Sequence, residues 1–232
     1  MTMADNSHQD RELSLGALEP HHAHAVHSLF LKVKRCTPYG FLADRGIDEF
    51  KAILSDSSES VSVGAWAEGR LVAYCLGRLE SGNTHPGSAL IRHLHCQGEK
   101  LCAGKGALVD PEYRGRKLMR RLLSARLETM RMKGLPHLTG LVAVDNLASI
   151  VGLLKAGSWM VSIERDEYCM NFVQYSGEYC STLETLDETT LAFDDLKALQ
   201  VKFDTGWVAT RLQKSGPTHE FILHRIPALG AA

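Results

Sequence analysis

Val109-Asp110-Pro111-Glu112-Tyr113-Arg114-Gly115-Arg116-Lys117-Leu118-Met119 joins an apolar strand, Leu101 to Val109, to a basic helix through a turn. The first turn of any helix leaves its backbone N–H groups unpaired and carries the positive end of the peptide dipole, so phosphate oxygens are natural ligands there. Basic side chains around this helix start reinforce that field. The stretch therefore reads as an anion site at a strand–turn–helix junction.

A second junction follows. Asn146-Leu147-Ala148-Ser149-Ile150-Val151-Gly152-Leu153-Leu154-Lys155-Ala156-Gly157 comes after another apolar strand, Leu138 to Val144. Asn146 fits an N-cap, because its side chain can accept from the free N–H groups of a helix start, and Gly157 fits a C-cap in the left-handed region. Those structural roles alone would account for both residues. The interval between the two junctions holds one long helix and one strand.

In order and spacing, the first stretch resembles the pyrophosphate-binding segment of the GNAT acyl-CoA N-acyltransferases, Arg/Gln-x-x-Gly-x-Gly/Ala after a hydrophobic strand and an acidic-proline turn. Arg114 takes the first position, while Lys117 and Met119 stand where the family has glycine and glycine or alanine. Helical φ/ψ does not require glycine, so main-chain amides can still serve the anion if both side chains point away, and Lys117 is itself a candidate charge contact. The second stretch resembles the family's Asn-x-x-Ala/Ser…Lys-x-Gly helix beside the pantetheine arm.

The resemblance implies an α/β fold with a mixed, mostly antiparallel central sheet flanked by helices. It implies an acyl-CoA cosubstrate, acetyl-CoA by default, lying between the strands Leu101 to Val109 and Leu138 to Val144, and no metal. Backbone groups of Ala107, Leu108 and Val109 would pair with the pantetheine amides. The diphosphate would rest on Gly115, Arg116, Lys117, Leu118, Met119 and Arg120 beside Arg114, with Asn146 against the same arm. The implied reaction is direct attack of a neutral amine on the thioester, with a backbone N–H of the central strand at the oxyanion. Acceptors compatible with the family are amine-bearing small molecules and peptides. Homodimers are common in it, though no residue here marks one.

Many relatives carry a tyrosine seven residues after the asparagine as proton donor to the departing thiolate; this chain has Leu153. Ser149, Tyr168 and Cys169 are unranked replacements, His93 and His95 are candidate shuttles, and the catalytic residues stay unassigned. The central strand has no carboxylate, and Glu112 reads as capping or solvating the helix start. With Lys117, Met119 and Leu153 all departing from the pattern, a catalytically inactive CoA-binding sensor or assembly module is the alternative function.

At 232 residues, with 44% apolar and 23% charged residues and a formal charge of −1, the chain has no blanket attraction to nucleic acid or membrane. Charge is unevenly placed: Arg114 to Lys133 holds eight basic residues against Glu128 alone. Beyond the first turn, Arg126, Arg131 and Lys133 read as a solvated face opposite the apolar stripe Leu118, Leu122, Leu123, Leu127 and Met130. Six cysteines without a Cys-x-x-Cys pair read as reduced, packed thiols, which with no secretory signal implies a cytoplasmic protein. No apolar run approaches the ~20 residues that span a bilayer. Neither His21, His22, His24 and His27 nor His93, His95, Cys96 and Cys102 have metal-ligand spacing.

Residues 1–11 read as a disordered tail, 12–175 as the acyltransferase core and 176–232 as a C-terminal helix-hairpin extension packed on it. Within the core, Leu13 to Leu18 is a strand, and Ala23, Val26, Leu29, Phe30 and Val33 mark a helix after Pro20. Arg35 to Arg45 is a loop carrying Tyr39 and Phe41, either packed or contacting the acceptor, before a short helix, Ile47 to Leu54. Val61 to Leu79 is a hairpin about Glu68-Gly69, and Ser81 to Lys100 is a long segment able to cover a site. Met160 to Ile163 and Tyr168 to Val173 read as one strand interrupted at Glu164 to Glu167. Leu186 to Phe203 is acidic and partly amphipathic. Trp207 to Leu212 and Phe221 to Arg225 form a final hairpin about Ser215-Gly216-Pro217.

Overall fold

The computed structural model describes residues 13–39, 41–79, 101–164, 169–175 and 187–226. Strands β1 (Leu13–Ala17), β2 (Val63–Ala67) and β3 (Arg70–Leu79) pair antiparallel in sequence order. Glu68 and Gly69 turn β2 into β3 with φ of 51° and 75°, the paired left-handed conformations whose twist matches that of a two-residue hairpin. The central strand β4 (Leu101–Val109) pairs antiparallel with β3, and β5 (His137–Ala143) lies parallel to β4. A parallel neighbour demands a crossover, which α3 (Leu118–Met132) supplies.

Beyond β5 come α4 (Leu147–Lys155), β6 (Trp159–Ile163), β7 (Cys169–Tyr175), β8 (Glu188–Ala192), α5 (Leu196–Asp204), β9 (Trp207–Ser215) and β10 (Thr218–Arg225). The described strands form one sheet of order β1-β2-β3-β4-β5-β7-β6-β9-β10-β8. Helices α1 (Ala23–Lys34) and α2 (Ile47–Leu54) bury Val26, Phe30, Phe50 and Leu54 with Tyr74, Leu76 and Leu108 of the sheet. Neighbouring residues of alternate orientation, Ala73 and Cys75, pack with Leu118 and Leu122 of α3. The two helical layers therefore flank opposite faces of β3 and β4, as period-two alternation requires. Farther along, Met130, Ile150, Leu154, Leu199 and Phe203 share one core with Leu138, Met160, Phe172 and Phe221. No described helix is long and apolar enough to cross a membrane.

Three expectations need correction. Residues 160–163 and 169–175 are two strands, not one interrupted strand: Glu164 N donates to Cys169 O at 2.8 Å, closing a hairpin that inserts β7 between β5 and β6. Within Leu186 to Phe203 a strand, β8, precedes the helix; its Thr-Thr-Leu-Ala is too short for the helical period to reveal it, and pairing with β10 decides its conformation. Arg126 is not solvated but 2% exposed. Its Nη2 donates to Gln174 Oε1 at 2.6 Å and its Nη1 to Leu76 O at 3.4 Å, bridging β3 and β7 beneath β4 and β5. Burial holds its guanidinium below the ordinary value. Tyr39 is fully exposed, whereas Phe41 is half-buried. The tail, Ser81 to Lys100 with His93, His95 and Cys96, and Tyr168 lie outside the described residues.

Replacing one partner of a buried hydrogen-bonded charge orphans the other, whereas replacing both leaves nothing unsatisfied. Arg126→Leu is expected to lower the unfolding free energy in urea by about 3 kcal/mol, and Arg126→Leu with Gln174→Leu to recover most of that loss. Equal destabilisation by the single and double variants would refute the bridge. His137 is also buried, and burial lowers its pKa to about 4. The unfolded chain takes up its imidazole proton first as pH falls, so this contribution to stability is full above about 6.5 and is lost progressively toward pH 4. Wild type should lose on the order of 2 kcal/mol more than His137→Gln across that window, read from urea midpoints.

A candidate site where two strands part

Pairing between β4 and β5 covers only Leu101↔His137, Cys102↔Leu138 and Ala103↔Thr139. Past that point β4 stays with β3 as far as Val109, and β5 stays with β7 as far as Ala143, while the two facing edges no longer pair. Close approach of β4 to β5 at the apex depends on Gly104, where a Cβ would lie 3.2 Å from Thr139 O; on β5, a Cβ on Gly140 would lie 2.6 Å from the Phe172 ring of β7. Immediately beyond, the register slips from Gly77↔Gly104 to Leu76↔Gly106, leaving Lys105 as the extra residue of a bulge. Gly106 has φ +114°, a conformation available to glycine at little cost. Bulges bend the strand that carries them, and here the bend coincides with the parting. Ala107, Leu108 and Val109 continue β4 along the open edge.

Two residues outside the sequence motifs stand beside this bulge. Arg45 Nη1 donates to Lys105 O, and Glu49 is 3.8 Å from its Nε. A Cβ on Gly106 would meet only Arg45 Nη1, at 3.8 Å. Tyr74 of β3 is opposite Leu108 and buried. Burial pushes its phenol up, only partly offset by the Arg45 charge, so the hydroxyl stays protonated at neutral pH. Neither carried a sequence signal: a tyrosine in an apolar strand reads as core, and an arginine closing a polar loop reads as solvated.

At the far end of β4 the chain enters the anion turn. Asp110 is buried; its Oδ1 accepts from Glu112 N at 3.1 Å and its Oδ2 from Lys32 Nζ at 2.9 Å. Lys32 also reaches Glu112 at 2.6 Å, and Arg70 lies 3.6 Å from Glu112. The hydrogen bond from Lys32 holds the Glu112 carboxyl below the usual range and raises the lysine in return. Glu112 thus ties the turn to α1 and β3 instead of capping α3. Tyr113 is buried with the Arg116 guanidinium 4.9 Å over its ring.

Arg114, Gly115, Arg116, Lys117 and Arg120 are exposed, Met119 is half-buried, and Leu118 is sealed in the core. Gly115 has φ +78°. Lys117, expected in helical geometry, is instead left-handed at φ 58° and ψ 18°, and α3 starts one residue later. That conformation favours glycine because a Cβ crowds the following carbonyl, which gives the glycine of the family pattern a physical reason. No side chain caps α3, so its leading N–H groups are open to a ligand. Among the described residues, Arg114, Lys117 and Arg120 have no ion-pair partner.

Asn146 caps α4, its Oδ1 accepting from Ser149 N at 3.1 Å, and Gly157 ends the helix region at φ +82°. Leu153 packs, half-buried, on the large core cluster. Cys169 begins β7 opposite Ala143. No metal-ligating cluster of three or more groups occurs among the described residues. His22 Nδ1 accepts from Glu19 N at 3.0 Å, a structural role.

The profile of the acetyltransferase (GNAT) family matches residues 26–157. Solved structures share the fold: a GNAT acetyltransferase of Streptococcus pneumoniae, at 15% identity and TM-score 0.54, covers 71% of this chain and 99% of its own. The yncA protein of Salmonella typhimurium, solved with its cofactor acetyl-CoA, has 14% identity and TM-score 0.53 over 72% of this chain and 96% of its own. The PaiA N-acetyltransferase of Thermoplasma acidophilum, in complex with coenzyme A, has 12% identity and TM-score 0.53 over 71% and 99%. No curated protein matches. From Val26 in α1 to Gly157 at the end of α4, the match takes in the parted strands and both helix starts, and the chain belongs to the acetyltransferase (GNAT) family.

Proposed function

We propose that the protein is an N-acyltransferase that takes an acyl group, acetyl by preference, from acyl-CoA and transfers it to an amine on a small molecule or peptide by direct attack. The observation carrying this reading is the alignment of an unpaired strand edge with an uncapped helix start and three exposed cations without ion-pair partners. An extended amide-bearing chain can complete the open edge of β4 at Ala107, Leu108 and Val109. A diphosphate at its end then meets the amides of Gly115 to Arg120, with Arg114, Arg116 and Lys117 around it. Asn146 stands at the start of α4, beyond the end of the opposite edge, its oxygen engaged by Ser149 N.

Acyl-CoA supplies the activated carbonyl and a thiol leaving group. The chain supplies position, exclusion of water by α1, α2 and β3, and donors beside the β4 bulge. Leu153 cannot give a proton, and Glu112 is bound to Lys32, so neither is assigned as acid or base. Free thiols at Cys36, Cys75, Cys102 and Cys169 fit the reducing cytoplasm we assign to it. The same reading takes residues 12–175 as the catalytic core and 176–232 as the extension.

Released CoA thiol in the presence of acetyl-CoA and pooled amines tests the reaction. CoA binding without thiol release across the pool would favour the non-catalytic sensor, the reading that Leu153 supports. Arg114→Ala should weaken CoA binding about tenfold by calorimetry. Lys117→Gly should raise stability by up to about 1 kcal/mol, since glycine removes the left-handed strain, and leave CoA affinity within about threefold. A larger loss of affinity would make the Lys117 ammonium itself a phosphate ligand.

A further inference from the structure

Arg45 stands in the site described above without a ligand assigned to it. It belongs to the loop between α1 and α2, yet it reaches the bulge of β4, and its side chain is only 26% exposed. A guanidinium has five N–H donors. One is engaged by Lys105 O, and Glu49, itself 58% exposed, stands beyond hydrogen-bond length at 3.8 Å. Most donor capacity of a three-quarters-buried cation is thus left for a ligand or water. Tyr74, protonated and without a hydrogen-bond partner among the described residues, adds a neutral donor within the field of the same guanidinium.

The two faces of β4 pack against different helices. Toward α3 its residues Ala107 and Val109 pack on the cluster that leads to the anion turn, whereas Leu108 and Tyr74 belong to the α1 and α2 face, where Arg45 lies. Under the N-acyltransferase reading the donor reaches the bulge from the α3 side, and the acceptor meets it from the face of Arg45. A cation this close to Gly106 is a poor neighbour for a polyamine or a lysine side chain. It attracts an anion, and it favours the uncharged form of an adjacent amine.

We propose that Arg45, with Tyr74, recognises a carboxylate borne next to the acceptor amine, so that the acceptor is an α-amino acid or a closely similar small zwitterion. This rests on the N-acyltransferase reading. Guanidinium and carboxylate pair through two parallel bonds, a geometry that lysine cannot copy. Arg45 Nη1 stands 3.8 Å from a Cβ placed on Gly106, a reach that suits a carboxylate one or two bonds from the carbon bearing the amine.

The test compares free amino acids with their α-amides as acceptors of acetyl-CoA, by thiol release, in wild type, Arg45→Gln and Arg45→Lys. Wild type should favour the acids by at least about tenfold in kcat/KM. Arg45→Gln should bring acid and amide within about threefold, and Arg45→Lys should fall between. Amides accepted as well as acids by wild type would overturn the proposal, as would an acid preference that survives Arg45→Gln in a protein still stabilised by CoA. Should Arg45→Gln fail to fold, Arg45→Lys, which keeps a donor for Lys105 O, decides between the same outcomes. If no amine is acylated although CoA binds, the N-acyltransferase reading fails instead. Calorimetry of an amino acid and its amide with the CoA-loaded protein then judges Arg45 alone: acid-selective binding lost in Arg45→Gln supports the carboxylate site, and its absence removes it.

Discussion

Backbone hydrogen bonds that a sheet leaves unmade are the constraint around which this molecule is arranged. An interior strand normally pairs along both edges, because an unpaired N–H or C=O removed from water carries a penalty of about 1–3 kcal/mol. β4 and β5 nevertheless abandon one another after Ala103 and Thr139. The opening is built in rather than incidental: glycine at 104 permits close contact with β5 at the apex, glycine at 140 admits the Phe172 ring of β7 beside it, and the bulge at Lys105 redirects β4 just past it. Arg126 and Gln174 tie β3 to β7 under that apex. The two half-sheets can therefore diverge without coming apart.

Charge is partitioned along the same strand. At the end of β4 the acidic side chains Asp110 and Glu112 are matched by Lys32 and Arg70, a knot that fixes where the turn leaves the sheet. Two residues later the pattern reverses to exposed cations and open amides. The knot keeps the carboxylates from neutralising the anion site, and it places the left-handed pair Gly115 and Lys117 directly before α3. A lysine in that conformation costs about 1 kcal/mol.

Sequence patterns revealed those elements whose signal is local. The strand Leu101–Val109 and the helix Ile47–Leu54 fall where an apolar run before the turn and a short helical segment after the loop put them, and Asn146 and Gly157 mark the ends of α4 through capping chemistry that depends on near neighbours alone. Signals that depend on distant partners were illegible. Arg126 stands at helical spacing within the apolar stripe, four residues from Leu122 and from Met130, yet a basic residue reads as solvated until Leu76 O and Gln174, 48 residues away, supply its buried partners. β8 has no period of its own and exists because β10 offers an edge. Lys117 looked tolerable in a helix because nothing in the sequence states that the helix begins one residue later. Arg45 and Tyr74 are separated by a helix and a strand, so their shared position beside the bulge is a property of the fold.

Loss of the family's tyrosine at Leu153 bears differently on the two halves of the proposed reaction. A thiol titrates near pH 8.5, far below an alcohol or an amine, so a departing thiolate needs little help from a proton donor. The nucleophile is the harder problem, because an ordinary ammonium with a pKa near that of lysine, about 10.4, is almost wholly charged at neutral pH. A peptide's terminal α-amino group titrates near 8; in a free amino acid the adjacent carboxylate raises that value, and a guanidinium paired with the carboxylate cancels the rise. Such an acceptor, once its carboxylate is paired, carries more free amine than a lysine side chain does, which lessens the demand on a dedicated general base. The carboxylate that Arg45 would bind and the missing carboxylate on β4 then belong to one arrangement: the cation that holds the acceptor also prepares its amine, and a base placed beside it would be neutralised by the same charge.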